Sequence, residues 1–271
     1  MREETSNQFE QLNKKIDELN RTNKILNNKL DFLNEILCNI NYNLDDSNNF
    51  CPTCGNFSTF IPFSIRKNAL CPHCGSLERS RFVYLTFKEK YSELFNKENA
   101  KFLHFAPESN LYSIFSKKEN LDYFPVDIDP EIYISRGISI RHKVNMENIP
   151  FGDNEFDIIY SSHVLEHVPN DRLAMSELYR VLKEDGICFI MVPLSGNPKT
   201  LENEAYNTPE LRLKYYGQDD HLRFYGDDFK DRLESVGFNV ETIEVTKEYT
   251  SPIFKKVLGL FDGEILFVCT K

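Results

Sequence analysis

The sequence predicts an α/β domain built on a parallel β-sheet, preceded by a small metal-binding module and a coiled-coil helix. Three observations carry this. A heptad pattern of apolar residues runs to about Asn43. Two Cys-x-x-Cys-Gly knuckles follow, beginning at Cys51 and Cys71. From Lys101 onward, short apolar runs alternate with helical ones, the order a parallel sheet requires.

In the first segment, residues 1–43, Phe9, Ile16, Asn23, Leu30 and Leu37 fall at one seam position, and Leu12, Leu19, Leu26, Leu33 and Ile40 at the other. Alternating steps of three and four keep them on one stripe of a slightly underwound helix, which buries that stripe only against a partner. Asn23 is the polar exception. A buried Asn pairs with its equivalent across a parallel two-stranded coil and fixes register, so a homodimer is expected; an amphipathic helix folded back on its own body is the alternative. A polar stretch between Asn43 and Phe50 reads as a linker.

Residues 44–76 hold Cys51, Cys54, Cys71 and Cys74. Two residues between the cysteines of a pair let both thiolates face one point from a tight turn, and two such knuckles supply the four ligands of tetrahedral Zn²⁺. With no position left for water, the site is expected to be structural. His73, inside the second knuckle, is expected beside the metal rather than on it. Phe57, Phe60, Ile61 and Phe63 are the candidate core of this ribbon, too small to stand without metal.

Residues 77–271 form the α/β domain. Leu77, Phe82, Leu85 and Tyr91 offer one helical face. Strands are expected at 102–106, 123–128, 138–144 (the weakest), 156–160, 187–192, 238–245 and 264–270. A helix from about Asp171 to Leu182 is ended by Glu184-Asp185-Gly186. Cys38, Cys188 and Cys269 sit singly in apolar patterns, as small core or seam residues do.

Three motifs in order resemble the class I S-adenosylmethionine-dependent methyltransferases of the type 11 kind: Glu147-Asn148-Ile149-Pro150-Phe151 leading into Phe156-Asp157, Ser162-His163-Val164-Leu165-Glu166-His167-Val168, and Glu177-Leu178-Tyr179-Arg180-Val181-Leu182-Lys183. The knuckles, Phe105-Ala106-Pro107-Glu108 and Asp220-His221-Leu222-Arg223-Phe224-Tyr225-Gly226 are similar to a zinc-knuckle subfamily of bacteria often linked to surface-glycan synthesis. The resemblance implies a Rossmann-like, seven-stranded methyltransferase sheet that takes S-adenosylmethionine beyond the carboxyl ends of its strands.

Residue by residue, the resemblance puts Phe105, Ala106, Pro107 and Glu108 under the methionine part of the cofactor. Asp127, with Ile128, falls at the ribose, where a carboxylate accepts from both hydroxyls of a diol. Asn145, Met146 and Glu147 fall at the adenine edge. Ser161 and Ser162 face the sulfonium. The family's glycine-rich first loop is absent, since residues 106–110 contain no Gly, and His104 stands where an acid is common. Methyl transfer to a hydroxyl needs alignment and a proton acceptor. His163 and His221 are the candidate bases, with Arg223 orienting His221, while His167 reads as a packing residue. Residues 195–226, rich in Tyr, Glu and Arg, form a candidate substrate lid.

Composition narrows the partners. With 32 basic and 42 acidic residues the net charge is -10, which repels a phosphate backbone at long range. A local cluster of Arg66, Lys67, Arg79, Arg81, Lys88 and Lys90 is the exception. No run approaches the ~20 apolar residues of a membrane span, and seven cysteines without an export signal point to the reducing cytoplasm. The expected activity is O-methylation of a polar sugar- or phosphate-bearing glycan precursor. An RNA methyltransferase and a non-catalytic scaffold with a degenerate cofactor site are the alternatives.

Overall fold

The computed structural model describes the backbone of residues 2–42 and 49–271 and the side chains of residues 11–31 and 49–271. The linker at residues 43–48, and the side chains of Phe9, Leu33, Leu37, Cys38 and Ile40, lie outside the described residues.

Helix α1 spans Arg2–Tyr42. Two short antiparallel hairpins follow, β1 (Asn49–Phe50) with β2 (Phe57–Ser58) and β3 (Ile61–Phe63) with β4 (Arg66–Leu70). Helices α2 (Glu78–Lys90) and α3 (Ser92–Asn96) lead to β5 (Ala100–Phe105), α4 (Ser109–Phe115) and β6 (Leu121–Asp127). A 3-10 segment, Pro130–Arg136, precedes β7 (His142–Lys143) and β8 (Phe156–Ser162). Then come α5 (Asp171–Val181), β9 (Leu182–Met191), α6 (Pro209–Tyr216), α7 (Phe229–Glu234), β10 (Asn239–Glu244), α8 (Val245–Glu248), α9 (Pro252–Leu258) and β11 (Ile265–Thr270).

Strands β5 to β11 form one seven-stranded sheet in the order β10-β11-β9-β8-β5-β6-β7. Only β11 runs against its neighbours. This is a Rossmann-like arrangement, as the sequence predicts. Every residue of β8 is buried, as a central strand covered on both faces must be. Phe102, Ile158, Tyr160 and Phe189 point into a core shared with α2, α4 and α9; Leu103, Phe105, Ile159 and Ile190 point into the other, with α5 and α7. Cys188 and Cys269 are buried opposite each other on β9 and β11.

Two element boundaries differ from the sequence expectation. The third strand shrinks to His142–Lys143, because residues 130–136 coil into the 3-10 segment ended by Gly137. Glu184-Asp185-Gly186 does not end a helix: α5 stops at Val181 and these residues lie inside β9. A Cβ at Gly186 would approach the Phe156 carbonyl to 3.0 Å, so close strand packing, not a turn, calls for this glycine.

The N-terminal helix leans on the body through Asn28, which donates to the Glu89 carbonyl at 2.9 Å, and through Lys24 and Lys29, which pair with Glu93 and with Glu89 and Glu248. These residues lie opposite the heptad stripe. Leu12, Ile16, Leu19, Leu26 and Leu30 therefore stay 45–62% exposed.

At the opposite end of β8 from the site, Asp157 anchors the sheet. Its carboxylate accepts from Lys97 (2.6 Å), Lys183 (2.7 Å) and the Lys101 amide (3.0 Å). Burial works against the ionised form, but these donors outweigh it and hold the carboxyl below its ordinary range. A depressed folded pKa gives stability that is present above the unfolded value of about 3.9 and is lost as pH falls through the folded one. Asp157→Asn should therefore cost about 1–3 kcal/mol at neutral pH. Its deficit in urea unfolding should shrink as the pH is lowered from about 5 towards 2; a deficit independent of pH would refute the assignment.

Candidate functional site

The chain runs outward from β5 through β6 to β7 and then returns to β8 and β9, so the sheet's switch point lies between β5 and β8. Ligands of such sheets sit beyond the carboxyl ends at that point. Phe105 and Ser161 are register partners there, which brings the turn after Phe105 beside Ser162 and His163. The Phe105 side chain itself is core.

Ala106 answers the missing glycine. Its φ is +47°, a left-handed conformation rare for a residue with a Cβ, and its amide donates to the Val126 carbonyl at 3.0 Å. The turn thus takes a glycine-like path at some cost in strain. Pro107 is buried behind it. Glu108 turns back into the sheet, where its carboxylate meets His104 Nε2 at 3.3 Å and accepts from the Tyr160 hydroxyl at 3.4 Å. His104 Nδ1 is held by the Tyr123 hydroxyl at 2.8 Å. His104 is therefore a buried support for the loop. Burial opposes ionisation of Glu108, yet His104 and the charge of Arg79 hold its carboxyl below the ordinary range.

At the end of β6, Asp127 accepts from the Asp129 amide (2.8 Å) and the Tyr133 hydroxyl (2.9 Å), while the neighbouring Ile128 is 59% exposed. An acceptor carboxylate next to an open apolar side chain suits a ribose and the face of a base. The third loop differs in part from expectation. Met146 is buried in the core, the Asn145 side-chain oxygen accepts from the Glu147 amide in a local turn, and Glu147 accepts from the Asn170 amide ahead of α5. Asn145 is exposed, and its side-chain nitrogen makes no hydrogen bond on this loop.

Ser161 and Ser162 are buried at the end of β8, and the Ser161 hydroxyl has no hydrogen-bond partner. His163 follows with φ +56°, its amide bound to the Met191 carbonyl and its Nδ1 3.4 Å from Glu166. His221 is buried, and its ring meets that of His167 edge-on at 4.7 Å. Burial pushes the His221 imidazolium down, against the pull of Glu166. Two residues that the sequence reading left without a role in this site, Arg79 and Glu264, are linked to it by charge: burial pushes the Glu264 carboxyl up, opposed by His163 and Arg79.

Arg223 does not orient His221. Its guanidinium is buried and donates to the carbonyls of Leu165, Val168 and Pro169 and to Glu202. It braces the turn after β8 from below. Residues 195–226 fold back to that turn, with the Leu222 amide on the Glu166 carbonyl and the Tyr225 hydroxyl on Asp171. Tyr206 stacks on Tyr215 with ring centroids 3.9 Å apart, and Tyr216 is buried, so these rings pack on one another.

The four cysteines converge. Their sulfurs all lie within 4.8 Å, with Cys51–Cys74 at 3.6 Å and Cys54–Cys71 at 3.8 Å. The sulfurs of a tetrahedral site with Zn–S bonds near 2.3 Å stand about 3.8 Å apart, so the set fits zinc. In each knuckle a glycine at φ near +70° returns its amide to the first cysteine's carbonyl, Gly55 to Cys51 and Gly75 to Cys71. His73 is exposed and outside the cluster. Of the expected apolar core, Phe60 is buried and Phe57 half-buried, but Ile61 and Phe63 lie at the surface. The module's real anchor is Arg81 of α2, which donates to Ala69, Ser76, Leu258 and Gly259 carbonyls and stacks on Phe60 at 4.3 Å.

Residues 111–190 match the methyltransferase domain family. That stretch runs from α4 through β9 and carries all three motifs. Two relatives are similar over part of their length. Sterol 4-C-methyltransferase strm-1 of Caenorhabditis elegans is 29% identical over 33% of this chain and 28% of its own. The 27-O-demethylrifamycin SV methyltransferase of Amycolatopsis mediterranei is 26% identical over 42% of this chain and 41% of its own. The chain thus spans less than half the length of these relatives. A SAM-dependent methyltransferase of Archaeoglobus fulgidus aligns over 70% of this chain and 93% of its own, with a TM-score of 0.48 and 17% identity.

Proposed function

We propose that the chain is a class I S-adenosylmethionine-dependent methyltransferase that methylates an oxygen of a polar, sugar- or phosphate-bearing precursor of a surface glycan. The observation that carries the methyltransferase part is the switch point, where the left-handed turn at Ala106, the Asp127 carboxylate and the Ser161–His163 segment stand at the carboxyl ends of adjacent strands. The domain match across residues 111–190 supports it. The glycan part rests on resemblance alone.

When bound, S-adenosylmethionine supplies an electrophilic methyl group on a sulfonium. The chain's residues do the rest. Asp127 exchanges its local donors for ribose hydroxyls, and Ile128 with Asn145 lines the base. His163 and His221 stand at the substrate end as proton acceptors for a hydroxyl. Residues 195–226 exclude water above them. Calorimetric titration with S-adenosylmethionine and S-adenosylhomocysteine, alongside Asp127→Ala, is the test.

Two further assignments belong to this reading. Cys51, Cys54, Cys71 and Cys74 hold a structural Zn²⁺. Helix α1 pairs two copies as a parallel coiled coil, because its contacts with the body use the face opposite the heptad and leave the stripe around Asn23 outward. Sedimentation equilibrium should give a dimer, and Asn23→Leu should shift oligomer state; a monomer in both cases would remove the coil. Among the described residues no helix is long and apolar enough to cross a membrane, in keeping with the proposed cytoplasmic setting.

The RNA reading loses its footing in the basic cluster. Arg81 is buried, Arg66 pairs with Glu78 at 3.0 Å and Lys90 with Glu248 at 2.5 Å. The scaffold reading rested on a glycine-free loop, and the left-handed Ala106 weakens it.

A further inference from the structure

We propose that Glu166, His167 and His221 form a second metal site, for a divalent first-row cation, at the substrate end of the crevice. Glu166 is fully buried, and neither of its carboxylate oxygens has a hydrogen-bond partner. The Nε2 of His221, 3% exposed, is likewise without one. One ligand atom from each of Glu166, His167 and His221 lies within 4.8 Å of the others, yet no hydrogen bond joins any two of them. The His167 and His221 rings pack edge-on, yet both Glu166 oxygens and His221 Nε2 beside them are left without a hydrogen bond.

The outer contacts complete the pattern. His221 Nδ1 stands 3.2 Å from the Tyr216 carbonyl, which can only accept, so Nδ1 carries the hydrogen and the lone pair is left on Nε2. His167 Nδ1 stands 3.3 Å from the Asp220 carboxylate. Metal-ligating imidazoles are held in this way, with the second nitrogen on a carbonyl or carboxylate. The Leu222 amide on the Glu166 carbonyl and the clamp of Arg223 on Leu165, Val168 and Pro169 fix the two segments in register. Arg223 is thus a positioning residue for Glu166 and His167, through the turn that carries them.

A buried carboxylate with two bare oxygens is costly unless a positive charge meets it. His163 at 3.4 Å is the nearest group that can offer one, and only when protonated. A dication bound directly satisfies the carboxylate and the orphaned imidazole nitrogen together. Two imidazoles and one carboxylate suit Mn²⁺, Fe²⁺ or Zn²⁺ better than Mg²⁺ or Ca²⁺, which prefer all-oxygen sets. Three protein ligands leave positions open, unlike the closed four-cysteine site.

The role follows from the methyltransferase reading and rests on it. An acceptor hydroxyl in an open position would have its pKa lowered towards neutrality, as bound water does. Its proton would pass to His163, because a metal on His221 Nε2 takes up the lone pair with which His221 would otherwise accept it. The oxygen lone pair then forms the C–O bond, the S–CH₃ bond breaks, and its electron pair stays on sulfur as the neutral thioether. The favoured substrate therefore offers a hydroxyl beside a second oxygen able to chelate.

The test is titration with Mn²⁺, which leaves thiolate sites alone, of the full chain carrying a single Zn²⁺ per molecule, so that the four-cysteine site is filled and the second site is not, followed by electron paramagnetic resonance. His167→Gln and Glu166→Gln are compared, with S-adenosylhomocysteine binding measured on each protein. His167 is 34% exposed, so its variant should keep the fold even where Glu166→Gln does not. We expect about one Mn²⁺ per chain, weakened roughly tenfold or more in both variants while S-adenosylhomocysteine binding persists. No Mn²⁺ bound by the wild type, or binding unchanged in His167→Gln, would overturn the site. Mn²⁺ bound and lost as expected, with no S-adenosylhomocysteine bound by any protein, would uphold the metal site and remove the methyltransferase reading.

Discussion

Replacing Arg81 with Met should destabilise the protein by about 4 kcal/mol or more. The side chain is fully buried, and its guanidinium closes the carbonyls of Ala69, Ser76, Leu258 and Gly259 while lying on the Phe60 ring. Methionine fills much of the same volume but donates nothing. Each buried carbonyl left without a donor costs about 1–3 kcal/mol, and four are affected. That is a large part of a typical total stability of about 5–15 kcal/mol. Arg81→Lys should recover only part, since an ammonium cannot span the fan of acceptors. The urea midpoint reads the effect; a loss below about 1 kcal/mol for Arg81→Met would show that the guanidinium is not the joint between module and sheet.

Cys71→Ser should have an effect of the same order through a different route. The core of the cysteine module is little more than Phe60 and the cysteines themselves, so its fold depends on metal binding, which contributes about 10–16 kcal/mol in isolated zinc modules. Removing one thiolate leaves three sulfurs, buried Cys51 and half-buried Cys54 and Cys74, without a complete site. The loss should spread to α9, because Asn49 donates to the Lys256 carbonyl and Arg81 to Leu258 and Gly259. Elemental analysis should find one zinc per wild-type chain and none in the variant, with faster hydrogen exchange at residues 49–76 and 252–260. A reduced, folded wild type without zinc would sink the assignment.

These joints explain what the sequence made legible. Ligand spacing is local, so the knuckles at Cys51 and Cys71 could be read without knowing the fold. Apolar runs in a doubly covered sheet are equally local, which is why β5, β6, β8 and β11 fall close to expectation. The short β7 and the course of β9 through Gly186 depend on neighbouring strands, and no pattern in residues 138–144 or 184–186 announces them. The motifs were recognisable for a reason other than chemistry. Glu177 accepts from the Ile149 amide, and Arg180 holds the Ile149 and Phe151 carbonyls, so the first and third motifs lock each other. Asp157 clamps the far end of the sheet.

The site itself was legible only in its outline. His221 and Arg223 stood two residues apart in one motif, and nothing in that spacing told a ligand from its brace. Glu166 had no reading of its own beyond its place in the second motif; its burial and its bare oxygens appear only when residues 165–169 meet residues 221–225. The glycine-free loop left open either a geometry of its own or a degenerate cofactor site, and the left-handed alanine is such a geometry.

The central claim is a cofactor crevice at the switch point, and the direct test is calorimetric titration of the zinc-replete protein with S-adenosylmethionine and S-adenosylhomocysteine. The account predicts one saturable site for each, with affinity reduced about a hundredfold or more in Asp127→Ala, where two charge-assisted hydrogen bonds are lost at about 1.5–3 kcal/mol apiece. A folded wild type that binds neither compound, or an Asp127→Ala variant that binds both as well as the wild type, would contradict it.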